Sequence, residues 1–86
     1  MTKNHALDVV YDWLLKRNLS EALTAMEGYL ISYSGPNDTD RLYAIKADFQ
    51  LMADYWKRGF KDPQLANLYD TLLRRLYVLY ADSALS

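Results

Sequence analysis

Acidic side chains are the first residues here whose spacing could support chemistry. Asp8 and Asp12 lie four positions apart, which is one turn of a helix, and Asp48 and Asp54 share a later segment. A pair of carboxyl groups performs general acid–base catalysis only when burial separates their pKa values. All four acids fall on the polar sides of amphipathic segments. We therefore interpret them as solvated surface residues.

Histidine, cysteine and glycine are too sparse for the common catalytic motifs. His5 is the only histidine and cysteine is absent, so a histidine-pair metal site and a thiolate site are excluded. The three glycines, at positions 28, 35 and 59, are scattered and form no phosphate-binding loop. We interpret His5 as an exposed first-turn residue, and we expect no enzymatic activity, no cofactor and no bound metal.

Basic side chains occur in two groups. Lys57, Arg58 and Lys61 form one, and the other lies on the last helical segment. Acidic residues are interleaved with both groups, and the formal net charge of −1 gives no attraction to nucleic acid or to an anionic membrane. We predict a rim of mixed charge with intrahelical ion pairs, such as Asp70 with Arg74. We expect neither a nucleic acid nor a membrane as partner.

Length and composition favour a single folded domain. The 86 residues are 51% hydrophobic and 24% charged, which is typical of a globular protein rather than a disordered chain. The longest apolar run, residues 76–81, is far shorter than the roughly 20 residues that span a bilayer. Asp8 and Asp12 interrupt the apolar run that a secretory signal would need. We expect one soluble helical domain over residues 1–86, with the cytoplasm as the default location.

Leucines set the period of the last predicted helix. They recur at steps of three and four positions: Leu65, Leu68, Leu72, Leu76 and Leu79. This spacing is typical of an α-helix. Tyrosines and a further leucine beside that row widen the apolar face, so this helix needs more than one neighbour.

Two helices are predicted in the first part of the chain. The first runs from near Thr2 or Asn4 to about Lys16, and the second follows Asn18, whose side chain can accept a hydrogen bond from the third helical amide. So short a connection forces an antiparallel hairpin. Gly28, inside the second helix, predicts the close approach of another helix; the alternative is an exposed position that tolerates glycine.

The third helix is expected after the loop over residues 34–38. Gly35 is predicted to take the left-handed conformation that ends the second helix, and Asp38 or Thr39 to cap the third. Gly59 is the expected stop of the third helix.

The last connection and the C-terminal residues carry their own signals. Phe60 is expected to contact the preceding turn near Tyr55, while Asp62 and Pro63 give a cap followed by proline at the first helical position. Residues 82–86 contain neither a glycine stop nor a basic last turn. We interpret this ending as that of the front portion of a longer natural chain.

Together these segments predict an all-α fold of four antiparallel helices, arranged as two hairpins in a bundle, with helices three and four the longer pair. The predicted core combines the apolar rows of all four helices: Leu7, Val10, Leu14, Leu23, Met26, Leu30, Ile45, Phe49, Met52, Trp56, Leu68, Leu72, Leu76 and Leu79.

Two resemblances accompany this pattern. Residues 6–36 resemble a single tetratricopeptide unit, with Trp13 at its large aromatic position and Ala22 at its small one. Val10 and Tyr29 depart from that motif, which has small residues at their positions. The resemblance implies a tetratricopeptide-like hairpin shape.

The second resemblance covers most of the chain. The run over residues 48–55, continuing through residues 58–63 to residues 72–75 and Tyr77, resembles the helical N-terminal domain of large uncharacterised Bacteroides-type bacterial proteins. It implies a fragment or accessory domain, and it implies no activity and no catalytic residue.

Aromatic residues are the one surplus in the composition. The chain has eight tyrosines, two tryptophans and two phenylalanines, and so small a core cannot hold every tyrosine, so some hydroxyls must reach water. Tyrosine and arginine are enriched at binding hot spots. We predict an interaction surface on the fourth helix that consists of Tyr69, Arg74, Arg75, Tyr77 and Tyr80. Tyr43, on the third helix, is a further candidate. The alternative is that these rings merely edge the core.

The leading functional hypothesis is a non-enzymatic protein–protein interaction or assembly module. Its partner would be another copy of the chain or a downstream domain of a longer chain. The alternative hypothesis is a small-molecule-binding domain with an aromatic-lined pocket between the two hairpins.

Overall fold

The computed structural model describes residues 2–59 and 62–85. The described residues form four α-helices and no strand, which confirms the predicted all-α fold. Helices three and four are the longer pair, as predicted. In chain order the helices are α1 (Lys3–Leu15), α2 (Leu19–Tyr33), α3 (Pro36–Lys57) and α4 (Pro63–Leu85).

The helices pack as two antiparallel hairpins that close into a bundle. Short connections at residues 16–18 and 34–35 reverse the chain between α1 and α2 and between α2 and α3. α2 and α4 each pack against the other three helices, whereas α1 and α3 do not approach each other closely within the described ranges. α4 therefore lies between α1 and α3, across from α2, and no other described helix covers its opposite side.

The core lies where these four helices meet. The predicted core residues are mostly buried, and Leu14, Phe49 and Leu68 are half-buried at its margin. α2 contributes more than predicted, because its contacts with three helices bury flanking positions as well as its central row. Several buried residues were absent from the predicted core: Ala6, Leu19, Ala22, Tyr29, Leu42 and Leu73.

The prediction that Trp56 belongs to the core is wrong. Its side chain is 57% exposed in the last turn of α3. α3 packs against both α2 and α4, but it is roughly two turns longer than α2, so its C-terminal end extends past α2. Helical periodicity places Trp56 on the correct face of α3, but α2 does not extend as far as this end of α3.

Two predicted N-terminal caps are present. Thr2 accepts a hydrogen bond from the amide of His5 at 3.2 Å, and Asn18 accepts one from the amide of Glu21 at 3.2 Å. Each bond satisfies one of the amides that has no acceptor within its own helix. α1 and α2 therefore begin where local chemistry predicted.

The start of α3 differs from the prediction. Gly35 has φ −100° and ψ 175°, an extended conformation rather than the left-handed one, and α3 begins at Pro36. Proline suits the first helical position because its fixed φ matches the helix and its missing N–H is not needed there. Asp38 and Thr39 lie inside the first turns rather than at the cap, and the Asp38 carboxylate accepts a hydrogen bond from Ser34 at 2.6 Å.

The connection between α3 and α4 follows the predicted signals where it is described. Gly59 has φ 86°, the left-handed stop. Asp62 accepts a hydrogen bond from the amide of Gln64 at 2.9 Å, and α4 begins at Pro63. The predicted contact of Phe60 lies outside the described residues.

The predicted close approach of another helix at Gly28 is wrong. Gly28 is exposed, and a Cβ atom at this position would meet nothing within 4 Å. The alternative interpretation, an exposed position that tolerates glycine, is the one that fits.

We expect replacement of Gly28 by alanine to raise the free energy of unfolding by about 0.5–1 kcal/mol, because alanine loses less backbone entropy inside a helix. Urea denaturation of both proteins, followed by far-UV circular dichroism, measures this difference. A destabilised Gly28→Ala variant would show that the position is more crowded than the structure indicates.

Candidate functional site

Tyr69 is turned towards the connection between α1 and α2. Its phenol oxygen accepts a hydrogen bond from the amide of Leu19 at 3.0 Å, and its hydroxyl donates to the backbone carbonyl of Arg17. Leu19 is the first residue of α2, and its amide has no acceptor within that helix. Tyr69 therefore caps α2 from a distant position in the sequence, and its hydroxyl is engaged within the chain.

Three arginines around α4 are paired with aspartates on other helices or connections. The predicted intrahelical pair of Asp70 with Arg74 is wrong, because Asp70 instead pairs with an arginine in the connection after α1. Arg74 forms no ion pair with any residue in the described ranges, so its positive charge is uncompensated. The three pairs are Arg17 with Asp70, Arg75 with Asp48 at 2.7 Å, and Arg41 with Asp82 at 3.0 Å.

The uncovered side of α4 presents Arg74, Tyr77 and Val78, which we call the α4 ridge. Tyr77 is 50% exposed and Val78 is 51% exposed, and Arg74 is also exposed. Two of these side chains are large and apolar or aromatic, and the third carries the uncompensated charge. Of the predicted surface residues, Arg74 and Tyr77 are thus brought together.

A shallow groove follows each side of the α4 ridge. The groove towards α1 has a volume of about 560 Å³ and includes Leu14 and Leu73. The groove towards α3 has a volume of about 400 Å³ and includes Ile45 and Arg75. Arg74 and Val78 line both grooves, so the ridge stands between two concave surfaces.

Three tyrosines meet at the α1 side of this region. The ring of Tyr80 stacks on Tyr11 with 5.9 Å between centroids, and Tyr77 lies 6.1 Å from Tyr80. Burial, and to a smaller extent the nearby Asp8 carboxylate, raise the pKa of the Tyr80 phenol. Tyr80 thus supports the exposed rings of its two neighbours.

Tyr11 and Val78 were missed as members of this region. Tyr11 is 41% exposed and lies on the flank of the predicted apolar face of α1. The pairing of α1 with α4 brings it to Tyr80, so no pattern within one helix could reveal the contact. Val78 follows Tyr77 directly but lies outside the leucine row of α4, so helical period did not mark it.

A separate depression lies between α3 and α4, which we call the hairpin groove. Its volume is about 530 Å³. Apolar side chains form most of its lining: Phe49, Met52, Ala53, Trp56, Leu65, Ala66 and Tyr69. The predicted aromatic-lined pocket lay between the hairpins, whereas this groove lies within the second hairpin, and Arg17 alone reaches it from the first.

The acids considered for catalysis do not form a site. Asp8, Asp12 and Asp54 are exposed, and Asp48 is engaged by Arg75. Among residues 2–59 and 62–85, no cluster of three or more potential metal-ligating side chains occurs. Within the same ranges no helix is long and apolar enough to cross a membrane.

No family model, no curated protein and no solved structure matches this chain. The tetratricopeptide and Bacteroides-type resemblances therefore stay predictions.

Proposed function

We propose that this chain is a non-enzymatic protein–protein interaction module, and that the α4 ridge binds its partner. The observation that carries this proposal is the position of Arg74, an exposed arginine without an ion-pair partner among the described residues, beside the exposed Tyr77 and Val78. Tyrosine and arginine are among the residue types that most often supply binding energy at protein interfaces.

The shape around the α4 ridge favours a helix as the partner element. Two grooves run beside Arg74 and Val78, and helices pack by fitting rows of side chains into such grooves. The partner helix would place apolar side chains on Tyr77 and Val78. Burying a valine side chain fully contributes about 1.5–3 kcal/mol.

The charge around the ridge favours an acidic residue on that helix. Arg17 and Arg75, which line the two grooves, are neutralised by Asp70 and Asp48. A partner that covers the ridge must therefore either form an ion pair with Arg74 or bury its charge without one. Complementary charge at this position selects the partner and its register. We propose an amphipathic helix that carries an aspartate or glutamate opposite Arg74.

The test starts from a displayed library of amphipathic helical peptides, selected for binding to the wild-type chain. We expect the selected peptides to carry an acidic residue, and Arg74→Glu to weaken their binding at least about tenfold, or about 1.4 kcal/mol. The affinity is measured by calorimetry, and circular dichroism confirms that the variant is folded.

Arg58→Glu is the matched control. Arg58 is exposed at the C-terminal end of α3, and its replacement by glutamate changes the net charge by the same amount. We expect the affinity of the peptides for this variant to stay within about twofold of wild type, as for a rim charge. Peptides that bind Arg74→Glu as tightly as wild type would contradict the α4 ridge as the binding surface.

A further inference from the structure

The hairpin groove differs from the α4 ridge in shape and chemistry. Its walls come from α3 and α4, and most of its lining is apolar or aromatic. Its volume of about 530 Å³ falls within the range of about 300–1,000 Å³ that is typical of small-molecule sites.

Trp56 is the most unusual residue of this groove. A tryptophan carries a large apolar surface, yet this one is 57% exposed. Phe49 and Leu65, which are half-buried, continue the apolar surface from Trp56 towards the core. Covering this surface would remove apolar area from water, which favours binding.

The charged residues at the rim determine the sign of a suitable ligand. Arg17 and Asp70 both line the groove and neutralise each other as an ion pair. Lys57 also lines it, and it forms no ion pair with any residue that the structure describes. Among the described rim residues, Lys57 is therefore the one basic side chain without an ion pair, and it lies beside a wide apolar surface.

We propose that the hairpin groove binds an amphipathic monoanion, a free medium-chain aliphatic carboxylate. The aliphatic chain lies along Phe49, Met52 and Leu65 and is covered by Trp56, while the carboxylate pairs with Lys57. The hairpin groove contains none of the three α4 ridge residues, although Arg17 and Asp70 line both this groove and the groove between the ridge and α1.

Tryptophan fluorescence offers a direct test, because the chain has two tryptophans. The variant Trp13→Phe leaves Trp56 as its one tryptophan. We expect sodium decanoate, added below its micelle-forming concentration, to shift the emission of Trp56 to shorter wavelength in a saturable manner. In Trp56→Phe, where Trp13 alone reports, we expect no saturable shift.

Decan-1-ol separates the contribution of charge from that of the chain. We expect it to bind about two- to fivefold more weakly than decanoate at low salt, as for loss of an exposed ion pair, and the difference to narrow at high salt. Lys57→Gln should remove the same difference. Equal affinity of the two probes for wild type at low salt would overturn the proposed carboxylate site.

A matched pair of variants locates the ligand. Ala66 and Asn67 are neighbouring exposed residues of α4, but Ala66 alone lines the groove. We expect Ala66→Phe to weaken decanoate binding at least about tenfold by filling the groove, since that ratio corresponds to about 1.4 kcal/mol of lost contact, and Asn67→Phe to leave it unchanged. Circular dichroism checks that both variants fold.

Four further results would overturn the proposal. Absence of saturable decanoate binding, or unchanged binding to Ala66→Phe, would exclude the groove as a carboxylate site. A molar mass that rises with protein concentration, and that Ala66→Phe returns to the monomer value in light scattering, would identify a second copy of the chain as the occupant. Binding to anionic phospholipid vesicles in place of monomeric decanoate would instead identify a membrane lipid.

Discussion

Replacement of Leu76 by alanine is expected to lower the free energy of unfolding by about 2–5 kcal/mol. Leu76 is fully buried on α4, the helix that packs against α1, α2 and α3. The smaller side chain loses apolar contacts and leaves a cavity that three neighbouring helices cannot all move to fill. A domain of 86 residues has a total stability of about 4–13 kcal/mol, so this loss is a large part of it.

Urea denaturation measured by circular dichroism tests this expectation, with Trp56→Ala as the contrast. Both residues belong to the periodic apolar rows of their helices, but Trp56 is 57% exposed. We expect its replacement to cost less than about 1 kcal/mol, although more atoms are removed. Comparable losses in the two variants would contradict the packing at the end of α3.

Replacement of Tyr69 by phenylalanine is expected to cost about 1–3 kcal/mol. The change removes one oxygen, which accepts from the amide of Leu19 and donates to the carbonyl of Arg17. The Leu19 amide is partly buried and has no acceptor in α2, so it would lose its partner. Arg17 also has φ 56°, an uncommon conformation for a residue other than glycine, and the Tyr69 hydroxyl helps to hold it.

Hydrogen exchange and urea denaturation together distinguish this role from a contact role for Tyr69. We expect the Leu19 amide to exchange faster in Tyr69→Phe, because the cap has been removed. Tyr43→Phe is the matched control, since Tyr43 is exposed and its change should stay within about 0.5 kcal/mol. Unchanged exchange at Leu19 would exclude the proposed long-range cap.

These predictions separate stability from partner binding on the same helix. Tyr69 and Leu76 hold the bundle together, whereas Arg74 and Tyr77 on the α4 ridge are exposed. Substitutions at the ridge are therefore expected to change binding while leaving the free energy of unfolding almost unchanged. This difference makes the proposed function testable without unfolding the domain.

The sequence by itself determined the number, order and most boundaries of the helices. Asn18 accepts a hydrogen bond from an amide in the first turn of α2, and Pro63 supplies a fixed φ at the first position of α4. The leucine row of α4 depends only on helical period, so each signal is local. The start of α3 was placed too late because the competing signals of Pro36, Asp38 and Thr39 lie within four residues.

Only the tertiary structure decided which of these positions are covered and which are exposed. Trp56 has the right periodicity for the core, but the shorter α2 does not extend along the last turns of α3, where Trp56 lies. Tyr69 and Asp70 find their partners in the connection after α1, more than fifty positions away, which no local pattern specifies. The candidate sites therefore depend on helix lengths and on which helices become neighbours, because these decide where apolar surface and charge are left without a partner.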